Sequence, residues 1–136
     1  MRRVVLFALF CASCSSAKQE ASFLVAAIDR FHRAENIDKP SRAADLAAVR
    51  CSDPGVCEAK AACVVATKAT ADALRLKATV ESTLAELRHG TLSKTDDGVR
   101  TLPSMLHEAG RLLDEGRNQM PACDQKILVL RGRYDL

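Results

Sequence analysis

The sequence predicts an all-α fold: an antiparallel helical bundle built around one long central helix and closed by two disulfides. Alanine and leucine, both good helix formers, dominate the composition. The stretch from Pro54 to His89 contains no proline or glycine after Gly55, so a single helix can run through it. Four cysteines lie beyond residue 17, and an even number suits two disulfides.

The first 17 residues have the three-part plan of an export signal. Two arginines stand near the start, residues 4–12 are nine apolar residues in a row, and small residues continue to Ala17. Nine apolar residues fall well short of the roughly 20 that a transmembrane helix needs. We therefore expect residues 1–17 to be a cleaved signal peptide and residues 18–136 to form a single helical domain.

Two cleavage sites are compatible with this leader. The run Cys11-Ala12-Ser13-Cys14 resembles the lipobox of bacterial lipoproteins, in which small residues precede a cysteine that becomes lipidated. The resemblance implies lipidation of Cys14, a membrane anchor and a place in the periplasm or on the cell surface. Conventional cleavage after Ala17, with Ser15 and Ala17 as the small pair, is the alternative. We favour the lipoprotein.

Two amphipathic segments are predicted in the first part of the domain. Residues 20–36 place apolar side chains at the i, i+3, i+4 and i+7 spacing of a helix. Residues 36–40 are expected to end this helix, and Ser41 to cap a short second helix that carries Leu46. The buried stripe of the first helix is predicted to comprise Leu24, Ala27, Ile28 and Phe31.

The central helix is predicted to run from Pro54 to His89. Ser52 or Asp53 suits its N-cap, because proline is tolerated in the first turn, and Gly90 suits the position just past its end. One face of this helix carries Ala59, Cys63, Ala66, Thr70, Ala73, Leu76, Val80, Leu84 and Leu87.

The rest of the chain is predicted to form a loop and two further helices. Residues 91–101 are expected to be a polar loop, followed by a helix over 103–118. Met120-Pro121 is expected to break the chain before a last helix over 121–132, whose apolar cluster would also suit a strand. The buried face of the first of these helices is predicted to comprise Leu102, Leu106, Ala109 and Leu113.

The four cysteines beyond the leader allow three pairings, and helix geometry ranks them. Cys57 and Cys63 lie about 240° apart around one helix and should not bond to each other. An antiparallel return of the chain brings Cys123 close to Cys63. We therefore rank Cys51 with Cys57 and Cys63 with Cys123 first, and Cys51 with Cys63 and Cys57 with Cys123 second.

No metal, cofactor or catalytic site is predicted. The cysteine spacing C-x5-C-x5-C differs from that of structural zinc sites, and His32, His89 and His107 are remote from the cysteines in sequence. The carboxylates Glu108 and Asp114 belong to amphipathic helices whose charged rows normally face water. Nucleophile-elbow, phosphate-loop and H-E-x-x-H motifs do not occur in the sequence.

The charge pattern argues against a nucleic-acid partner. The formal net charge is +3, but removal of Arg2 and Arg3 from the 20 basic side chains leaves 18 against 17 acidic ones. These charges are interleaved, whereas phosphate binding needs a basic stripe.

The sequence is therefore compatible with three classes of function. We expect a non-enzymatic binding or structural module, anchored to a membrane by its lipid and contacting another envelope protein. The alternative is an extracytoplasmic carrier that holds a small apolar ligand between helices. A redox enzyme is the third class, and it would require a free, reactive thiol.

Overall fold

The computed structural model describes residues 10–136, with side chains from residue 16 onward. This part of the chain contains five α-helices and no strand. The predicted all-α bundle with a long central helix and two disulfides is confirmed. The helices are α1 (Phe10–Arg33), α2 (Lys39–Ala48), α3 (Pro54–Arg88), α4 (Asp97–Arg100) and α5 (Leu102–Tyr134).

Helix α1 buries the stripe that its sequence predicts. The helix runs without interruption through both predicted cleavage points, before Cys14 and after Ala17. The Cys14 side chain lies outside the described side chains, so its lipidation stays a prediction. Either cleavage keeps Ala21, the first residue of the core cluster. The predicted stripe is at most 2% exposed, at Leu24, Ala27, Ile28 and Phe31.

Helix α2 begins before its predicted cap. It starts at Lys39 with Asp38 as the N-cap residue, so Pro40 lies inside the first turn and does not break the chain. Proline fits there because the first amides of a helix have no intrahelical acceptor. The Ser41 hydroxyl donates to the Asp38 carbonyl oxygen at 2.8 Å and therefore does not cap the helix.

Helix α3 has the predicted start and end. Its 35 residues begin at Pro54, and the Asp53 carboxylate accepts a hydrogen bond from the Val56 amide at 3.0 Å. At the other end Gly90 has a φ of 75°, which glycine adopts without steric strain. The amides of Gly90 and Thr91 donate to carbonyl oxygens of the last turn, as in a Schellman motif.

The predicted loop over 91–101 contains one helical turn, α4. The Asp96 carboxylate accepts from the Ser93 amide at 2.6 Å, and the Asp96 carbonyl accepts from the Val99 and Arg100 amides. Local hydrogen bonds to an aspartate form this turn, and none of its residues is buried. Hydrophobic periodicity therefore gave no signal for it.

The predicted break at Met120-Pro121 is wrong. Helix α5 continues through Pro121 for 33 residues, from Leu102 to Tyr134. An interior proline costs about 3 kcal/mol, but both flanks of Pro121 are fixed to α3. Gly116 packs on α3 in the preceding turn, and Cys123 is bonded to α3 two residues later. Tertiary packing therefore overrides the local preference, and the strand alternative for 121–132 is also wrong.

Helices α3 and α5 lie antiparallel and unusually close together. A Cβ atom added at Gly116 would lie 2.4 Å from Thr70 Oγ1 and 3.1 Å from the Ala66 carbonyl oxygen, so only glycine fits there. Small residues at seven-residue intervals permit this approach. The buried residues at these intervals are Ala59, Ala66, Ala73 and Val80 on α3, and Leu102, Ala109, Gly116, Cys123 and Leu130 on α5.

The helices form two regions along the long axis of the molecule. Helix α2 lines a groove with α3 as far as Arg75, and the α1 contacts on α5 begin at Met120. We call residues 10–75 and 116–134 the body, and residues 76–115 the distal hairpin. The largest fully buried side chains, including Phe31, lie in the body.

The predicted buried face of the second hairpin helix is only half right. Leu102 and Ala109 are buried against α3, but Leu106 is 51% exposed and Leu113 is 37% exposed. Both leucines lie in the distal hairpin, beyond the described ends of α1 and α2, the helices that cover α3 and α5 in the body.

Candidate binding surfaces

The four cysteines after residue 17 form the pairing that was ranked first from their spacing. Cys51 bonds to Cys57 with the Cα atoms 5.3 Å apart, and this joins the segment after α2 to the first turn of α3. Cys63 bonds to Cys123 with the Cα atoms 4.5 Å apart, across α3 and α5. Both sulfurs of this second bond belong to fully buried residues. None of the four therefore supplies a free thiol.

The two disulfides indicate an oxidising, extracytoplasmic environment, because cytosolic thiols are kept reduced. Among the described residues, no helix combines the length and apolarity that crossing a membrane requires.

The three histidines lie at separate places. His32 Nε2 is 3.5 Å from the Met120 sulfur and 3.7 Å from an Asp124 carboxylate oxygen. His89 is the C-cap residue of α3, and His107 lies exposed on α5. In the described part of the chain, histidine, cysteine and acidic side chains do not assemble into a group of three or more.

The carboxylates Glu108 and Asp114, which an acid–base mechanism could use, bind neighbouring cations on the surface of α5. Glu108 accepts hydrogen bonds from Arg111 at 2.7 and 2.8 Å, which lower the pKa of the Glu108 carboxyl. Arg111 also pairs with Glu115, and these two partners raise the pKa of the guanidinium. Asp114 pairs with Arg117 at 3.2 Å. These contacts are ordinary i,i+3 and i,i+4 pairs on one helix surface.

A groove of about 660 Å3 lies between α1 and α2. Phe23 contributes an exposed ring, and Ala48 and Val49 add apolar surface at the end of α2. Arg30 and Arg50 also line the groove. Its volume lies within the range of small-molecule sites.

The acidic residues of this groove are engaged by the chain itself. The Glu20 carboxylate accepts from the Ser52 amide at 2.8 Å, the Ser52 hydroxyl at 2.6 Å and the Asp53 amide at 3.1 Å. These hydrogen bonds, led by that of the Ser52 side chain, lower the pKa of the Glu20 carboxyl. Asp45 pairs with Arg42 at 3.2 Å. Neither Arg30 nor Arg50 forms an ion pair among the described residues.

A second candidate surface follows one stripe of α5. Leu106, Leu113, Met120 and Ile127 recur every seven residues and therefore share one side of the helix. Met120 and Ile127 pack into the core that α1 helps to form. Leu106 and Leu113 continue this stripe beyond the end of α1 and are exposed.

The sequence predicted neither surface. Phe23 lies next to the buried stripe of α1 but outside it. An aromatic residue outside the stripe is the feature of the sequence that could have indicated an exposed apolar surface on α1. The Glu20 contact with Ser52 spans 32 residues and involves polar side chains without periodicity. The exposure of Leu106 depends on where α1 ends in space, which the local pattern of α5 does not contain.

Comparison with protein-family models, with curated proteins and with solved structures gives no match to this chain.

Proposed function

We propose that this protein is an exported binding module, anchored to a membrane by lipid on Cys14, that presents its distal hairpin to another envelope protein. The observation that carries the proposal is the separation of two features along the molecule. The start of α1, next to the proposed anchor, lies at one end of the long axis, and an exposed apolar stripe lies towards the other.

The direction of α1 supports an anchor at the end of the molecule where α3 begins. Glu20 contacts Ser52 and Asp53 just before α3 begins, whereas His32 lies beside Asp124, close to the level of the disulfide at Cys123. Helix α1 therefore runs in the same direction as α3, and its first turns extend beyond the start of α3.

The distal hairpin lies at the opposite end. Helix α3 has 35 residues, which correspond to about 50 Å at 1.5 Å per residue. A membrane attached before residue 18 would thus lie near the start of α3, and Gly90 would lie tens of ångströms away from it. This arrangement suits an anchored protein that reaches across a space to a partner.

The exposed stripe indicates which secondary structure of a partner would pack on it. On Met120 and Ile127 the stripe is packed against α1, a helix. Leu106 and Leu113 have the same spacing, and no other described helix covers them, so they are exposed. We therefore propose that a helix of the partner protein packs on them, in continuation of α1.

Intact mass tests the anchor. Protein purified from membranes of its own host is expected to start at Cys14, to carry acyl groups, and to lack four hydrogens because of the two disulfides. The Cys14→Ala variant should leave the membrane fraction. A mature chain that starts at Lys18 and stays soluble would instead establish conventional cleavage and refute the anchor.

Photo-crosslinking in the native host tests the partner surface. A photoreactive residue at Leu106 should give a discrete crosslink to a different protein, whereas one at Ser104, on another side of α5, should not. The Leu113→Ser change should abolish that crosslink with only a small fall in the melting temperature, because the side chain is already partly exposed. Equal products from both positions would refute the surface, and a product of twice the chain mass would assign it to self-association.

The groove between α1 and α2 favours a second candidate, the carrier of a small ligand. Its volume of about 660 Å3 and its exposed Phe23 ring suit a molecule with an apolar body. The sequence predicted such a ligand between helices, and this groove is the place in the fold that would hold it.

A further inference from the structure

The α1–α2 groove has an apolar wall. The Phe23 side chain is 57% exposed, although a large aromatic ring normally contributes strongly to burial. Ala48 and Val49, at the end of α2, line the same groove. Together they give a surface for a flat or linear hydrocarbon body. A ligand there would cover the Phe23 ring, which α2 leaves largely open.

The same groove has a cationic rim. Arg30 from α1 and Arg50 from the segment after α2 both line it. Many other arginines of this chain bind carboxylates: Arg42, Arg75, Arg111, Arg117 and Arg131 do so at 2.7 to 3.2 Å. Within the described residues, Arg30 and Arg50 have no such partner, as is also true of Arg33, Arg88 and Arg133, but only Arg30 and Arg50 line this groove.

The two carboxylates that line this groove bind partners other than Arg30 and Arg50. The Glu20 carboxylate is directed at the amides and hydroxyl before α3, and Asp45 binds Arg42. Neither acidic residue of the groove wall therefore forms an ion pair with Arg30 or Arg50. The guanidinium group pairs bidentately with carboxylates and phosphates, so the rim selects for an anion.

We infer that the α1–α2 groove binds an amphipathic anion, a single small molecule with one carboxylate, phosphate or sulfonate group on an apolar body. The hydrocarbon lies against Phe23, Ala48 and Val49, and the anionic group binds a guanidinium of the groove wall, that of Arg30 or that of Arg50. This inference rests on the carrier function proposed above, and it changes the expected ligand from purely apolar to anionic.

The test compares two fluorescent probes that share the same rings. 1-Anilinonaphthalene-8-sulfonate carries an anion, and N-phenyl-1-naphthylamine does not. The mature protein should bind the sulfonate more tightly, and laurate below its micelle concentration should displace it. In the Arg30→Gln/Arg50→Gln variant the sulfonate should bind about tenfold more weakly, the factor that corresponds to loss of one net charge-assisted contact. Binding of the neutral probe should stay unchanged.

Two further variants test the apolar wall of the groove and the effect of overall charge. Phe23→Ser should weaken both probes, because the hydrocarbon loses its wall. Arg88→Gln/Lys94→Gln removes two exposed cations from the far end of the molecule and should change neither affinity. Circular dichroism of each variant establishes that it is folded. An equal loss of sulfonate binding in the distal double variant would overturn the inference, because it would reduce the effect to overall charge.

The remaining outcomes separate the inference from the carrier function. Equal affinity for both probes, unaffected by the arginine changes but lowered by Phe23→Ser, would overturn the anion site and keep an apolar carrier. Binding of neither probe would refute both. None of these results depends on whether Cys14 is lipidated.

Discussion

The body and the distal hairpin are made from the same two helices but differ in what surrounds them. In the body, α1 and α2 cover α3 and α5, and side chains such as Leu24, Phe31 and Val56 are fully buried. In the distal hairpin α3 and α5 have mainly each other, with few buried side chains, among them Val80 and Leu102. Both disulfides lie in the body.

This difference shows that one helical stripe can have two roles. The stripe of α5 is covered at Ile127 and bare at Leu106, although its spacing does not change. The transition occurs near Met120, where α1 reaches its end. An apolar repeat therefore identifies a side that packs, but the length of the neighbouring helices decides whether that side is core or surface.

The largest expected effect comes from the disulfides of the body. Replacing Cys63 and Cys123 by alanine should lower the free energy of unfolding by about 4 kcal/mol, because this bond closes a long loop. Replacing Cys51 and Cys57 should cost about 2 kcal/mol, because their loop is short. Urea unfolding of both variants measures the difference. Equal losses would contradict the loop-length account.

A smaller difference in stability is expected when one leucine of the body and one leucine of the distal hairpin are each replaced by alanine. Leu24→Ala should lower the free energy of unfolding by about 3 kcal/mol, because it leaves a cavity in a closed core. Leu106→Ala should cost below about 1 kcal/mol, because that side chain is half exposed. Urea unfolding of the monomer measures both values. Similar losses would show that Leu106 is covered in solution.

Two glycines of α5 should respond to alanine with opposite signs. Gly116→Ala should destabilise by about 2 kcal/mol, since its Cβ atom would overlap Thr70 and the α3 backbone. At Gly110 nothing lies within 4 Å of an added Cβ atom. Gly110→Ala should therefore stabilise by about 1 kcal/mol through helix propensity. Thermal unfolding measures both, and stabilisation by Gly116→Ala would refute the close approach of α3 and α5.

The smallest effect is a pH dependence in the body. Glu20 has a pKa below its ordinary value of 4.5 in the folded protein. Its carboxylate therefore contributes stability above the unfolded-state pKa and loses that contribution as pH falls through the lower folded pKa. Glu20→Gln should flatten the fall in melting temperature between about pH 5 and about pH 3. The control Glu35→Gln changes an exposed carboxylate without a hydrogen bond among the described residues, and should leave that fall unchanged. Identical profiles for wild type and Glu20→Gln would contradict the account.

Local signals in the sequence were sufficient for most helices and for the disulfides. Asp53, Pro54 and Gly90 each act within one turn of their own position, so α3 was predicted with its correct ends. The ranking of Cys63 with Cys123 needed only helix rise and an antiparallel return.

Features that depend on contacts between distant segments were missed. Pro121 favours a break locally, and the close packing of Gly116 on Thr70 overrides it. The groove at Phe23 and Arg50 exists because α1 and α2 lie beside each other, and the pattern of each helix taken alone does not specify it.

Hydrogen exchange of the purified mature protein, followed by mass spectrometry, tests the division into body and distal hairpin most directly. Amides in residues 59–73 and 118–130 should exchange slowly, near the rate set by global unfolding. Amides in residues 78–87 and 104–112 should exchange much faster through local opening, because only the α3–α5 contact protects them. Uniform protection along both helices would contradict this division and would show that the stripe at Leu106 and Leu113 is part of a continuous core.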